Sequence, residues 1–228
     1  MLSTRDYVIS EKVERDVSDV LENGWLAPLS ITNKLEQELC RITGLPYGLT
    51  VNSLKSGLLL AAITSGIGKD TKTIVFPSVE KECAPIARFL GENVHVCDSI
   101  PNDAKVVMIG NEDVIMNIPS NDVCVIQVMG QNALKANGFA NVSIVEFENL
   151  LSVMTFKSND QMNRCLQMRD WGRAGSQDEN LDKRYSSFNL EGVRYDWKFV
   201  FCDLGFNFKS CEMAAAIALD ILNEKVNP

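Results

Sequence analysis

The stretch of this sequence that reads most readily as chemistry is Asn52-Ser53-Leu54-Lys55-Ser56-Gly57. It lies between an apolar run and a helical one, so it reads as the entry to a helix. The first backbone N–H groups of a helix have no intrahelical acceptor and can face an anion such as a phosphate. The same Asn-Ser pair also reads as a simple cap. A second glycine-rich stretch, Gly66-Ile67-Gly68-Lys69-Asp70-Thr71, fails as a nucleotide-phosphate loop. The first glycine of that pattern falls at Ile63, and Asp70 occupies the hydroxyl position. It reads as a helix stop and turn.

Metal and thiol chemistry find little support. The seven cysteines form no CxxC pair, and several sit inside apolar runs such as Val123-Cys124-Val125-Ile126. They read as reduced core thiols of a cytoplasmic protein. The single histidine, His95, falls in a strand-like run and reads as a packed side chain, and no zinc-type cluster exists.

The elements that must position the helix entry follow from periodicity. Residues 11–22 place Val13, Val17, Val20 and Leu21 at helical spacing, with Asn23-Gly24 as the stop. Residues 32–43 repeat the pattern, with Thr32 as N-cap and Leu35, Leu39 and Ile42 on one face. A third helix is expected over 55–65. Strands are expected at 73–76, 94–97, 105–109 and 123–128, with a helix from Cys83 to Leu90. Two more strands are expected near 142–147 and 151–156, then a helix from Asp160 to Arg169. A polar excursion follows from Ala174 to Leu190. Asn207 begins the return into a helix over 212–223. Apolar strands alternating with helices imply one domain, residues 1–228, built as a three-layer α/β/α sandwich on a mainly parallel sheet.

With 228 residues and a net charge of −8, the chain is one ordinary domain with an acidic surface, which argues against nucleic acid as partner. No signal pattern and no uncharged span of membrane length is present, so no membrane partner is expected, and the cytoplasm is the expected compartment.

The flanks of the helix entry carry a family resemblance. Upstream stands Asn23-Gly24-Trp25-Leu26 ahead of Leu35-Glu36-Gln37-Glu38-Leu39, and downstream Gly66-Ile67-Gly68-Lys69-Asp70 leads to Ile74-Val75-Phe76-Pro77-Ser78. Further on come Arg169-Asp170-Trp171-Gly172-Arg173, Tyr195-Asp196-Trp197-Lys198, Gly205-Phe206-Asn207-Phe208-Lys209 and Glu212-Met213 with Ala215-Ala216-Ile217. In order and spacing the chain resembles the DegT/DnrJ/EryC1/StrS sugar aminotransferase/dehydrase family, closest to its nucleotide-sugar 3-dehydrase branch. That resemblance implies an abbreviated large domain of the type I PLP-dependent transferase fold, without the family's C-terminal small domain.

It also implies what has been lost. PLP chemistry needs a lysine for the Schiff base, a carboxylate on the pyridine nitrogen and donors around the phosphate. Val128-Met129-Gly130-Gln131 matches a family block, but no Asp-Ala-Ala follows it, and Phe147-Glu148-Asn149-Leu150-Leu151 runs into the next strand where the lysine segment belongs. Leu54 and Lys55 stand at the Gly-Thr positions of the phosphate cradle, and Lys81 stands where an aromatic stacks on the cofactor ring. The remnant phosphate site therefore comprises Asn52, Ser53, Lys55 and Asn207, and the ligand pocket Lys81 and Gln131. Lys55 and Lys81 read either as solvated lysines or as anion ligands; Lys135 and Lys157 read as surface lysines. Asn207 reads either as a contact to a partner subunit's cofactor or as a helix-turn residue. No catalytic residue, metal or cofactor is expected. The partner is a second copy or a full-length homologue, and a nucleotide sugar the ligand. The competing expectation is an active PLP- or PMP-dependent enzyme acting on a nucleotide-linked 4-keto sugar through a relocated site.

Overall fold

The computed structural model describes the chain apart from residues 1–7, 112, 114–117, 120–121, 130–133, 135, 137, 175–186, 197–198 and 227–228. Gln131, Lys135 and most of the expected excursion from 174 to 190 lie outside the described residues.

Helix α1 spans Glu11–Asn23. Ser10 caps it, its Oγ accepting from Val13 N–H at 3.3 Å, and Gly24 ends it in the left-handed region at φ 68°. Helix α2 spans Ser30–Thr43 and begins two residues before the expected cap. Thr32 is not the N-cap: it lies buried in the first turn, and the cap comes from elsewhere in the chain, as described below. Strand β1 (Tyr47–Val51) leads into helix α3 (Leu54–Thr64), capped by Ser53. Leu58, Leu60, Ala61 and Ala62 of α3 are fully buried, as befits a helix apolar on most of its surface.

Strand β2 (Thr73–Val75) passes through one 3-10 turn, Pro77–Val79, into helix α4 (Glu80–Leu90), which therefore starts three residues ahead of Cys83. Strands β3 (Val94–Val96), β4 (Val106–Gly110), β5 (Cys124–Met129), β6 (Val142–Phe147) and β7 (Leu151–Phe156) follow, then helix α5 (Asn159–Arg169). Strands β8 (Ser187–Leu190) and β9 (Val193–Asp196) form a separate hairpin, and helix α6 spans Glu212–Val226.

Seven strands form one sheet in the order β1-β7-β6-β5-β4-β2-β3. Only β7 runs against its neighbours, antiparallel to both β1 and β6; β6, β5, β4, β2 and β3 pair in parallel. Helices α3, α4 and α5 cover one face, where Leu58, Ala61, Cys83 and Cys165 pack with Val51, Ile74, Ile144 and Met154. On the other face Leu35 and Leu39 of α2 and Ala215, Ala218 and Leu222 of α6 pack on Val145, Phe147 and Val153. This is the expected three-layer α/β/α sandwich.

Two expectations fail on the surface. His95 is exposed, not packed, because β3 is the edge strand; its ring meets Asn93 Oδ1 at 2.7 Å. Cys202 is exposed as well, whereas burial pushes the Cys83 and Cys165 thiols up to about 12, which leaves them unreactive. Among the described residues no helix is long and apolar enough to cross a membrane, and no group of His, Cys, Asp or Glu could hold a metal.

Candidate functional site

In a parallel sheet the loops beyond the C-terminal strand ends gather at one edge, where ligands of α/β proteins bind. Here that edge brings together Asn52 and Ser53 after β1, Ser78 after β2, Asp113 near the end of β4, and Glu146 and Glu148 at the end of β6.

Five of the six residues singled out from the sequence are placed by the structure, and they converge on the first turn of α3. Asn52 N–H donates to Phe208 C=O at 2.9 Å, which brings the exposed Asn207 beside the helix entry although 155 positions separate Asn207 from Asn52 in the chain. Asn207 forms an isolated bridge with Asp170 and stands five residues ahead of α6, so it is no helix-turn residue. Ser53 Oγ accepts from Ser56 N–H at 3.2 Å, Ser56 Oγ donates to Asn52 Oδ1 at 2.6 Å, and the two serine hydroxyls lie 2.9 Å apart. The first turn of α3 thus closes on its own side chains.

Lys55 points across to α4. Its ammonium donates to Glu82 C=O at 2.6 Å and to Lys81 C=O at 3.3 Å. The reason lies four residues further along, where Pro85 sits inside α4. Proline has no N–H, so the Lys81 carbonyl has no helical donor. Lys55 fills that role, and the Lys81 side chain is left exposed to solvent.

The strand edge nearby is acidic. Glu146 is half-buried and its carboxyl is raised above the ordinary range, chiefly by burial, with the Glu148 and Glu82 carboxylates adding to the rise and Lys55 opposing it. Ser78 Oγ donates to Asp113 Oδ2 at 2.5 Å, and Gly110 N–H donates to the same oxygen at 2.7 Å. Between β6 and β7 only Glu148, Asn149 and Leu150 intervene, a tight hairpin with Asn149 at φ 62° and Leu150 N–H returning to Phe147 C=O at 3.0 Å. That turn is where the resemblance puts the Schiff-base lysine.

A second, buried cluster gathers residues that the sequence marked only as family motifs, without a role for them as a group. Glu212, at the start of α6, accepts from the N–H groups of Leu29 (3.0 Å), Ile31 (2.6 Å) and Thr32 (3.0 Å) and from Thr32 Oγ1 (2.5 Å). It is the cap of α2. Glu36 accepts from Thr50 N–H at 2.6 Å, and its carboxyl is raised by burial, opposed by the nearby Arg169 guanidinium. Arg169 donates to Thr50 C=O at 2.8 Å, lies 3.5 Å from Asp170, and Asp170 lies 3.3 Å from Lys209. The Arg169-Asp170 and Lys209 motif residues therefore tie α5, β1 and the C-terminal segment together. The signals for Glu36 were its place in the Leu35–Leu39 motif and its position beside Leu35 and Leu39 on the buried face of α2.

The profile of the DegT/DnrJ/EryC1/StrS aminotransferase family matches residues 8–121. The chain belongs to that family. Among solved structures, Spr1654 of Streptococcus pneumoniae in its PMP form superposes with TM-score 0.74 at 16% identity, over 96% of this chain and 66% of that one. PseC of Helicobacter pylori, an aminotransferase involved in pseudoaminic acid biosynthesis, gives 0.69 at 14% identity, over 96% and 64%. A DegT DnrJ EryC1 StrS aminotransferase of Brucella abortus gives 0.69 at 12% identity, over 94% and 64%. The chain spans slightly less than two thirds of the length of each of these structures. It has the fold of PLP-dependent aminotransferases.

Proposed function

We propose that this chain is a non-catalytic member of the family, serving nucleotide-sugar or surface-polysaccharide biosynthesis in the cytoplasm by binding and not by transamination. The observation that carries this reading is the three-residue turn Glu148-Asn149-Leu150 between β6 and β7, which holds no lysine at the place the resemblance assigns to the Schiff base. Two further observations support it. The lysine nearest the helix entry, Lys55, is held by the Lys81 and Glu82 carbonyls, and Ser53 is turned inward to cap its own helix. Glu82 and Glu148 act on Glu146 beside Lys55, so three carboxylates share an edge where a phosphorylated cofactor would need the opposite sign. The described residues of the strand-end edge do not fit PLP or PMP.

The chain acts as a homodimer or beside a full-length homologue, with a nucleotide sugar as its ligand. Phe199, Phe201 and Leu204 are 76%, 59% and 72% exposed and supply an apolar surface for such pairing. The competing reading, an active enzyme on a nucleotide-linked 4-keto sugar, draws on the convergence of Asn52, Ser53 and Asn207 at one helix entry. Incubation with PLP, borohydride reduction and peptide mass analysis separates the two. No defined adduct is expected; an adduct at one lysine, abolished by its mutation, overturns the non-catalytic reading. A raised melting temperature with nucleotide sugars is expected from a binding protein.

A further inference from the structure

A hollow of about 270 Å³ lies between one face of α1 and the start of α2. Asp16 and Asp19 of α1 line it together with Trp25, Leu29, Ile31 and the Glu212 carboxylate. Its volume falls just below the roughly 300–1,000 Å³ of small-molecule sites, so it suits one side chain and is too small for a nucleotide sugar. Trp25 and Leu29 are 39% and 50% exposed, and Leu26, 46% exposed, stands next to them in the chain.

The charges in the hollow are unevenly used. The Glu212 oxygens are taken up by the donors of the α2 entry. Among the described residues Asp16 meets only Lys12, at 3.5 Å on the surface of α1. Such exposed pairs contribute little and exchange easily. Asp19 makes no hydrogen bond or ion pair among the described residues. A lining of one indole, three carboxylates and the apolar Leu29 and Ile31 side chains matches a cation carried on an apolar stem.

We propose that this hollow is a docking site for an arginine side chain of a partner protein. The guanidinium is planar and forked, so it can stack on the Trp25 indole while donating to the Asp19 and Asp16 carboxylates, and its methylene stem covers Leu29 and Ile31. Lysine offers a point charge without the planar face, and the surplus of negative charge turns away an acidic partner.

The test follows the Trp25 indole N–H resonance of the 15N-labelled full chain, with the indoles of Trp171 and Trp197 as internal controls. The probe is N-acetyl-arginine N-methylamide, and its neutral citrulline analogue is the control. The expected result is a saturable shift of Trp25 with the arginine probe, at least tenfold weaker with citrulline and at least tenfold weaker in the Asp16→Asn/Asp19→Asn variant. No shift at Trp25, or equal binding of citrulline, overturns the proposal in the unaltered protein. Movement of the Trp25 signal with protein concentration alone makes a second copy the occupant, which also overturns it.

Discussion

Two helix entries in this molecule face the same physical problem and solve it differently. Each first turn presents backbone N–H groups that need acceptors. At α2 the acceptor is the Glu212 carboxylate, supplied from a helix 180 residues further along the chain. At α3 it is Ser53, three residues before the amide it receives. The α3 entry is the one that the family resemblance associates with cofactor phosphate, yet here it is self-contained. The α2 entry, where the sequence suggested only a threonine cap, is the one that holds an anion. Helix N-termini are general anion sites, and the surrounding packing decides which of them is occupied by the protein's own charge.

The comparison breaks first at Glu212. Glu212→Ala removes the acceptor of three amides and one hydroxyl inside the fold, and a loss of about 3 kcal/mol is expected from urea unfolding. Glu212→Gln keeps one oxygen and should lose about half as much. A loss below about 1 kcal/mol for the alanine variant would show that the two caps are equivalent.

Gly48 tests how tightly α2 is held. A Cβ there would stand 2.8 Å from Glu36 Cβ and 3.1 Å from its carbonyl, so Gly48→Ala forces the helix off β1 and should cost about 1–3 kcal/mol. Ser53→Ala, by contrast, removes a local cap, and about 1 kcal/mol is expected.

Glu36 adds a pH dependence to the α2 side. Its folded pKa is raised, so the folded state holds the proton more firmly than the unfolded chain. The stability from this group is fully present below the unfolded carboxylate value and is lost as pH rises through the raised folded value. Glu36→Gln should therefore flatten the melting temperature against pH above about 4.5, the ordinary glutamate value, and leave the α3 side unaffected. The smallest effect belongs to Lys55. Lys55→Met should cost about 0.5 kcal/mol or less, because the contact is exposed. In a Pro85→Ala background the helical donor to Lys81 C=O returns, and the Lys55 effect should shrink in the double-mutant cycle to what the Glu82 C=O contact contributes.

Much of the architecture was legible from residue order. The strands around Ile74, Val107, Ile126, Ile144 and Val153 are runs of β-branched and apolar residues, and strands covered by helices on both faces of a sheet demand that composition. Local caps such as Ser10 with Gly24, or Ser53, were legible for the same reason: donor and acceptor lie within a few residues. The β8–β9 hairpin went unread, although Leu190-Glu191-Gly192-Val193 carries a two-residue turn with φ values of 52° and 84° at Glu191 and Gly192, the signature of a tight hairpin. The polar composition around it masked that short signal.

Part of the site was legible in the same way. The helix entry at Asn52-Ser53 and the acidic, lysine-free turn at Glu148-Asn149-Leu150 can be seen in the chain itself, because each is a contiguous stretch. Tertiary structure alone decided where the charges went. Thr32 looked like a cap because threonine before an apolar run usually is one; packing α6 beneath α2 replaced it with Glu212. Lys55 looked like an anion ligand or a solvated lysine, and a proline 30 residues away drew it to a carbonyl instead. Propensity and periodicity act over one or two turns of chain. Desolvation and Coulomb energy act over ångströms in space, and only the folded chain determines which groups are neighbours.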